Sequence, residues 1–250
     1  MKSFVLCFIA AISFLYPAAQ DIGVLLKEAE RLEAVPDEAG AYSKFKEVLK
    51  LKPTHLEALI KCSELCSRIG KRQATPQARD GYYEAARIYA QTALKIEPLN
   101  SNACCVMAMA LGRSSMNKSG KEKINTAKEI RKYVDIALKT NPNNFLAWHI
   151  LGRWHYEISN LNFFERAAVK IFYGGVPESS LKESIAAFEK TRTLMPGFIL
   201  NYFEMAKAYF KNDDNAKAVA AINTMLTLPN QTEDDPATKE EGKKLLKVWQ

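Results

Sequence analysis

The sequence predicts an all-α fold: a right-handed α-solenoid of about five tetratricopeptide-like helix-turn-helix repeats, with an extra helix inserted in repeat 4. Three observations predict it. Prolines recur at 53, 98, 142, 196 and 229, each closing an expected helix. Residues at fixed offsets from those prolines recur in register, the tenth being small each time. The run Trp148-x2-Leu151-Gly152 carries the first half of the tetratricopeptide signature W-x2-L-G-x2-Y, with His155 in the aromatic place and Tyr156 one residue late.

The prolines lie 45, 44, 54 and 33 residues apart. A tetratricopeptide unit is about 34 residues, so the middle three units carry roughly 11, 10 and 20 extra residues and the last is nearly standard. Ten residues after the first four prolines stand Ser63, Ala108, Gly152 and Ala206, all small, as a tight helix crossing requires. Six after come Leu59, Cys104, Trp148 and Tyr202, and thirteen after come Cys66, Leu111, His155 and Tyr209. Eight before the same prolines stand Phe45, Ala90, Val134 and Phe188, and five before stand Val48, Ala93, Ala137 and Thr191. A glycine inside a helix costs about 1 kcal/mol against alanine, so Gly152 marks close approach of the partner helix.

Residues 1–19 stand apart from this pattern. Lys2 precedes an uncharged, mostly apolar run from Phe4 to Tyr16, then Pro17-Ala18-Ala19-Gln20. This reads as a secretory signal with small residues at the cleavage point. The run is shorter than the roughly 20 residues of a comfortable membrane span. Its alternative reading is a retained membrane anchor. Small residues followed by Gln20 imply an exported, periplasmic or secreted chain.

The repeats then follow in order: 22–55, 56–98, 99–142, 143–196 and 197–229, with a charged capping helix at 236–249. Residues 22–34 and 39–51 form the first pair, turning at Pro36-Asp37. The second repeat begins with Leu59, Cys62 and Cys66 on one face, passes a polar basic loop at 70–80 and resumes as a helix from 81 to 96. Tyr82, Tyr83 and Tyr89 along that helix suit either helix-crossing positions or a contact face. The third repeat is apolar from 103 to 111, followed by a flexible basic insertion at 112–121.

Between Arg113 and Lys139 there are eight Lys or Arg and three Asp or Glu, the strongest charge asymmetry in a chain of net charge +7. It reads as a solvated helix face or as a site for an acidic partner or anionic lipid. No aromatic-basic interleaving marks a nucleic-acid module, so no nucleic acid partner is expected.

Four cysteines follow the leader. Cys62 and Cys66 share a helix, and Cys104 and Cys105 lie on the neighbouring repeat. They suit small apolar core positions, or a disulfide from Cys66 to Cys104 or Cys105 in an oxidising compartment. There is no C-x2-C pair and no nearby histidine, which argues against a metal site. Walker, G-x-S-x-G and H-E-x-x-H motifs are absent from the sequence, so no catalytic residue, cofactor or metal is assigned.

The fourth repeat departs most from standard length. Leu161, Phe163, Phe164, Ala167, Ala168, Ile171 and Phe172 fall at helical spacing and predict an extra helix over 162–172. It would shape a groove for a peptide or protein, line an apolar cavity for a lipid chain, or fill the core. Arg153, Arg166, Glu157 and Glu165 suit an internal ion network or ligand contacts.

The stretch from Gly152 to Phe210 resembles the regulator of microtubule dynamics protein family. The resemblance rests on Gly152, Arg153, Trp154, Tyr156 and Glu157, then Phe163, Phe164, Glu165 and Arg166. It continues through Phe172, Gly174, Pro177, Pro196, Gly197, Asn201 and Tyr202. One departure is Phe172-Tyr173-Gly174, a residue longer than the family's Phe-Gly.

The resemblance implies a tetratricopeptide-like fold and an interaction role. It marks Arg153, Trp154, Tyr156, Glu157, Phe163, Phe164, Arg166, Phe172, Asn201 and Tyr202 as candidates for partner binding or groove shaping. An exported chain would not meet microtubules. Some family members are tethered to membranes by an N-terminal apolar segment and implicated in lipid handling, so a retained anchor would restore the microtubule and membrane readings. The expectation is therefore a non-enzymatic, exported binding scaffold for a protein or peptide, with a membrane-associated microtubule or lipid adaptor as its alternative.

Overall fold

The computed structural model describes residues 22–115, 120–161, 165, 167, 169–171 and 180–249. The leader at 1–19, and Phe163, Phe164, Arg166 and Phe172 of the expected extra helix, lie outside the described residues. The described residues are helical apart from short links. In chain order the helices are α1 (22–34), α2 (Glu38–Leu51), α3 (Leu56–Lys71), α4 (Pro76–Ile96), α5 (Ser101–Ser114) and α6 (Gly120–Thr140). They continue as α7 (Phe145–Ser159), α8 (Leu181–Leu194), α9 (Ile199–Lys211), α10 (Asn215–Thr227) and α11 (Asp235–Trp249). Residues 165, 167 and 169–171 are helical too.

One turn is used four times. In Lys52-Pro53-Thr54-His55 the His55 N–H donates to the Lys52 carbonyl at 3.0 Å, and the same bond joins Asn100 to Glu97, Asn144 to Asn141 and Phe198 to Met195. Proline presets φ at the second position of such a turn and lacks the N–H that would continue the helix. The fourth residue of the turn then caps the next helix. His55, Asn100 and Asn144 accept backbone N–H groups of the first helical turn through their side chains, whereas Phe198 does not. Each such cap contributes about 1 kcal/mol.

Most of the extra length in the second and third repeats is helix, not loop. Both α4 and α6 run 21 residues, against 14 for α2. The basic loop expected at 70–80 is short, because α4 starts at Pro76. Thr75 caps it by accepting the Ala78 N–H at 3.2 Å, and proline sits at its first position. Thr75-Pro76 is a helix-start signal that the basic residues around it obscured.

The repeat offsets are core positions. Ser63, Ala108 and Ala206 are buried, as are Phe45, Ala90, Val134, Phe188, Val48, Ala93, Ala137 and Thr191. At Gly152 an added Cβ would meet the Phe188 ring at 2.7 Å, so α7 and α8 touch where only glycine fits. Ser184 beside it donates to the Gly152 carbonyl at 2.7 Å. Ser63 does the same across the second pair, to the Ala86 carbonyl at 2.8 Å. Tyr83 is buried, while Tyr82 and Tyr89 pack their rings 6.4 Å from Tyr42.

The cysteines fill core positions, and the Cys66–Cys104 disulfide, the alternative reading, is not formed. Cys62, Cys66, Cys104 and Cys105 are buried free thiols. Cys66 packs with Ala86 and Ala110, and Cys104 with Ala137 and Ala147. The two cysteines hold offsets of thirteen and six from their prolines. On adjacent helices that difference places them about 10 Å apart along the axes, beyond disulfide reach.

Candidate functional site

The first helices of successive pairs, α3, α5, α7 and α9, stand side by side, with the second helices behind them. Positions eight, eleven and fifteen after each proline fall on their common face. They are Lys61, Glu64 and Arg68; Val106, Met109 and Arg113; Ile150, Arg153 and Glu157; Glu204, Lys207 and Lys211. This is an i, i+3, i+7 stripe. All but Val106 and Glu204 reach solvent at least in part.

The row of helices bends toward this face. Glu233 and Asp234, in the link between α10 and α11, meet the far end of the row. Glu233 accepts the Glu38 N–H at 2.9 Å, and Arg72 pairs with Glu233 at 3.2 Å and Asp234 at 3.4 Å. Lys71 lies 3.6 Å from Asp234. A row whose ends meet is curved, and the stripe lines its inner side.

Charge is concentrated at the α7–α9 part of that side. Arg153 lies 3.5 Å from Glu157 and 3.8 Å from Glu204, and Lys207 binds Glu204 at 2.9 Å. Burial works to raise the Glu204 pKa, but the charges of Arg153 and Lys207 outweigh it and hold the carboxyl below its ordinary value. Lys207 and Lys211 both stand over the Tyr156 ring, at 5.4 and 5.7 Å from its centroid. Lys211 also donates to Asn160. On α5, Arg113 has its pKa pulled down, first by burial and then by the Arg153 charge.

Behind the stripe lies a buried polar pair. His149 Nδ1 is 3.1 Å from Asn201 Oδ1, and the Asn201 amide donates to the Phe188 carbonyl at 3.0 Å. That assignment leaves Oδ1 as the acceptor, so Nδ1 carries the proton of a neutral imidazole. Burial takes the His149 pKa down to about 4.

The residues singled out from sequence therefore separate. Arg153, Tyr156 and Glu157 come together on the inner side. Trp154 is buried, donating to the Ala127 carbonyl at 2.8 Å beneath the Arg131 guanidinium, and so ties α6 to α7. Asn201 is spent on the polar pair. Tyr202 faces a separate cleft shared with Glu189, Arg192, Met205, Tyr209 and Lys217. Glu204 and Lys207 escaped the sequence reading, although their register with Ile150 and Arg153 was available. Among the described residues there is no cluster of His, Cys, Asp and Glu able to hold a metal ion. No described helix is long and apolar enough to cross a membrane.

The profile of the family described as Regulator of microtubule dynamics protein 1-3 matches residues 25–250. The chain belongs to this family. Regulator of microtubule dynamics protein 2 of Macaca fascicularis is 28% identical over 171 residues, covering 68% of this chain and 42% of that one. The Homo sapiens protein 2 is 27% identical with the same coverage. Regulator of microtubule dynamics protein 1 of Caenorhabditis elegans is 25% identical over 185 residues, covering 74% of this chain and 80% of that one. The chain thus spans less than half the length of its mammalian protein 2 relatives. Among solved structures, the tetratricopeptide protein TTC0263 of Thermus thermophilus superposes with a TM-score of 0.65. It is 15% identical and the match covers 90% of this chain and 98% of that one, which shows a common fold.

Proposed function

We propose that the chain is a non-enzymatic scaffold that binds a protein or peptide on the inner side of its curved helix row. The observation that carries this reading is the cluster of Tyr156, Arg153, Glu204 and Lys207. Tyrosine and arginine dominate the energetics of protein interfaces, and here Arg153 holds a stripe position with the half-buried Tyr156 beside it under Lys207. Solenoids of this class use their inner surfaces in this way. The test places a photo-crosslinking residue at Ile150, on the inner side, or at Lys95, on the outer side. Partner adducts at Ile150 that disappear in Arg153→Glu/Lys207→Glu support the reading. Adducts at Lys95 alone overturn it.

A second reading comes from the names of the relatives, which are regulators of microtubule dynamics. A net charge of +7 favours an acidic polymer as partner. Helix α6 carries much of that charge, with Lys121, Lys123, Lys128, Arg131, Lys132 and Lys139. Co-sedimentation with microtubules that falls with salt, and falls further when Lys121, Lys123 and Lys128 are replaced by Gln, supports it. Salt-independent or absent co-sedimentation counts against it.

For residues 1–19 we propose an export signal removed near Gln20, with a retained anchor as the alternative. An intact mass beginning near Gln20 supports export. A full-length chain in a membrane fraction overturns it and favours the microtubule or membrane adaptor.

A further inference from the structure

The C-terminal end of the row carries a strap. Asp235 accepts the N–H groups of Gln231 and Thr232, both at 2.7 Å, and folds the link between α10 and α11 into a tight loop. Gln231 lies over Gly197, with its amide nitrogen 2.8 Å from where a Cβ would stand, so the loop is fixed to the turn before α9. Glu233 and Asp234 reach from this loop to the other end of the row. The Asp234 charge also acts on Tyr83 and Arg113, so the loop lies over the α3–α5 part of the inner side.

The seam that the strap closes is polar. Among the described residues, Glu233 accepts the Glu38 N–H at 2.9 Å, Arg72 pairs with Glu233 at 3.2 Å and Asp234 at 3.4 Å, and Lys71 lies 3.6 Å from Asp234. Neither α2 nor α3 packs against α9, α10 or α11. The apolar core of α1 to α4 and that of α7 to α11 share no residue. Each end is held by its own core, and parting the ends leaves both cores intact. The Lys71 and Glu233 side chains are 41% and 36% exposed, so salt reaches the seam. Ion pairs this wet contribute little and are screened. Arg72 also holds Glu38 at 2.6 Å within its own end, so opening strands no buried charge.

We infer that the strap is a gate: the row exists as a closed ring and as an open arc, and the inner side between α3 and α5 is reached from the open form. The inference rests on the inner-side docking reading above and adds its regulation. A partner that binds the open form draws the equilibrium toward it, and the closed population lowers its apparent affinity. Low ionic strength holds the ring shut, and raised ionic strength opens it.

The test uses the full chain with spin labels at Ser43→Cys on α2 and Ala237→Cys on α11, both exposed positions outside the seam. The four native thiols among the described residues are buried. Double electron–electron resonance is expected to give one short distance at about 0.01 M salt and a second, longer one that grows toward about 1 M. In Glu233→Gln/Asp234→Asn the longer distance is expected at low salt already, with the open-to-closed ratio raised at least about tenfold. Labels at Asn223→Cys and Ala237→Cys, within one end, should keep their distance throughout, which separates opening from unfolding. At low salt a bulky maleimide is expected to modify Met109→Cys at least about tenfold faster in the double variant than in the otherwise unaltered chain, with no change at the outer position Lys95→Cys. A single distance at every salt in both chains overturns the proposal, and so does loss of the Asn223–Ala237 distance as the longer one appears. Opening without faster modification of Met109→Cys overturns the gate. If the double variant does not fold, the salt series on the unaltered chain decides alone. Crosslinking confined to the outer side overturns the docking reading, which the distances do not touch.

Discussion

The Phe188 ring occupies the space that a side chain at Gly152 would need, 2.7 Å from where its Cβ would stand. The contact joins α7 to α8 across the longest repeat and sets how closely the two helices cross. Gly152→Ala adds helix propensity of about 1 kcal/mol but overpacks this crossing, which costs about 1–3 kcal/mol. The expected net loss is about 1 kcal/mol in urea unfolding. Gly152→Ala combined with Phe188→Leu should be less damaging than the sum of the two single changes, because the smaller side chain relieves the clash.

His149 gives the fold a pH dependence of known sign. Its pKa falls from an ordinary value near 6.5 to about 4 on folding, because burial disfavours the charged ring. Between those values the unfolded chain binds more protons, so stability is full above pH of about 6.5 and is lost as pH falls toward 4. The contribution is on the order of 3 kcal/mol. His149→Gln should flatten the stability profile in this window, measured as urea midpoints from about pH 7 to about pH 4.

The cysteines should be silent in the native state. Burial raises the thiol pKa of Cys62, Cys66, Cys104 and Cys105, with Cys66 pushed up to about 11. Thiolate is the reactive species, so a maleimide should label these four residues only after unfolding, as read by peptide mass. A reducing agent should leave the thermal midpoint unchanged.

The clasp between the row's ends should be the salt-sensitive part of the fold. Arg72 joins Glu38, Glu233 and Asp234 while three-quarters buried. Removing it leaves those carboxylates without their main cation, and Arg72→Gln should cost about 2–4 kcal/mol. Hydrogen exchange should show the resulting opening at residues 229–237 and at the start of α2, with α7 to α9 retaining protection.

The fold was legible because each proline resets the same turn and the same offsets then return to the core. Ser63, Ala108, Gly152 and Ala206 show this most directly, since a helix crossing tolerates little at that offset. The start of α4 was harder to read, because Thr75-Pro76 lies inside a basic run that resembles a loop. The Arg72 clasp was not legible. Glu233 and Glu38 are 195 residues apart, and no local pattern reports the curvature that brings them together. The inner-side cluster was half legible. Arg153 and Tyr156 stood out through the family resemblance, whereas Glu204 and Lys207 look like ordinary solvated charges until α7 and α9 are placed side by side.

Binding of a protein segment on the inner side of the row is tested most directly by crosslinking from Ile150 compared with crosslinking from Lys95. Each position is probed in the unaltered chain and in Arg153→Glu/Lys207→Glu. Adducts from Ile150 that the double substitution removes, with Lys95 giving none, are the expected result. Adducts from Lys95 that persist in the double variant, with none from Ile150, would contradict inner-side binding.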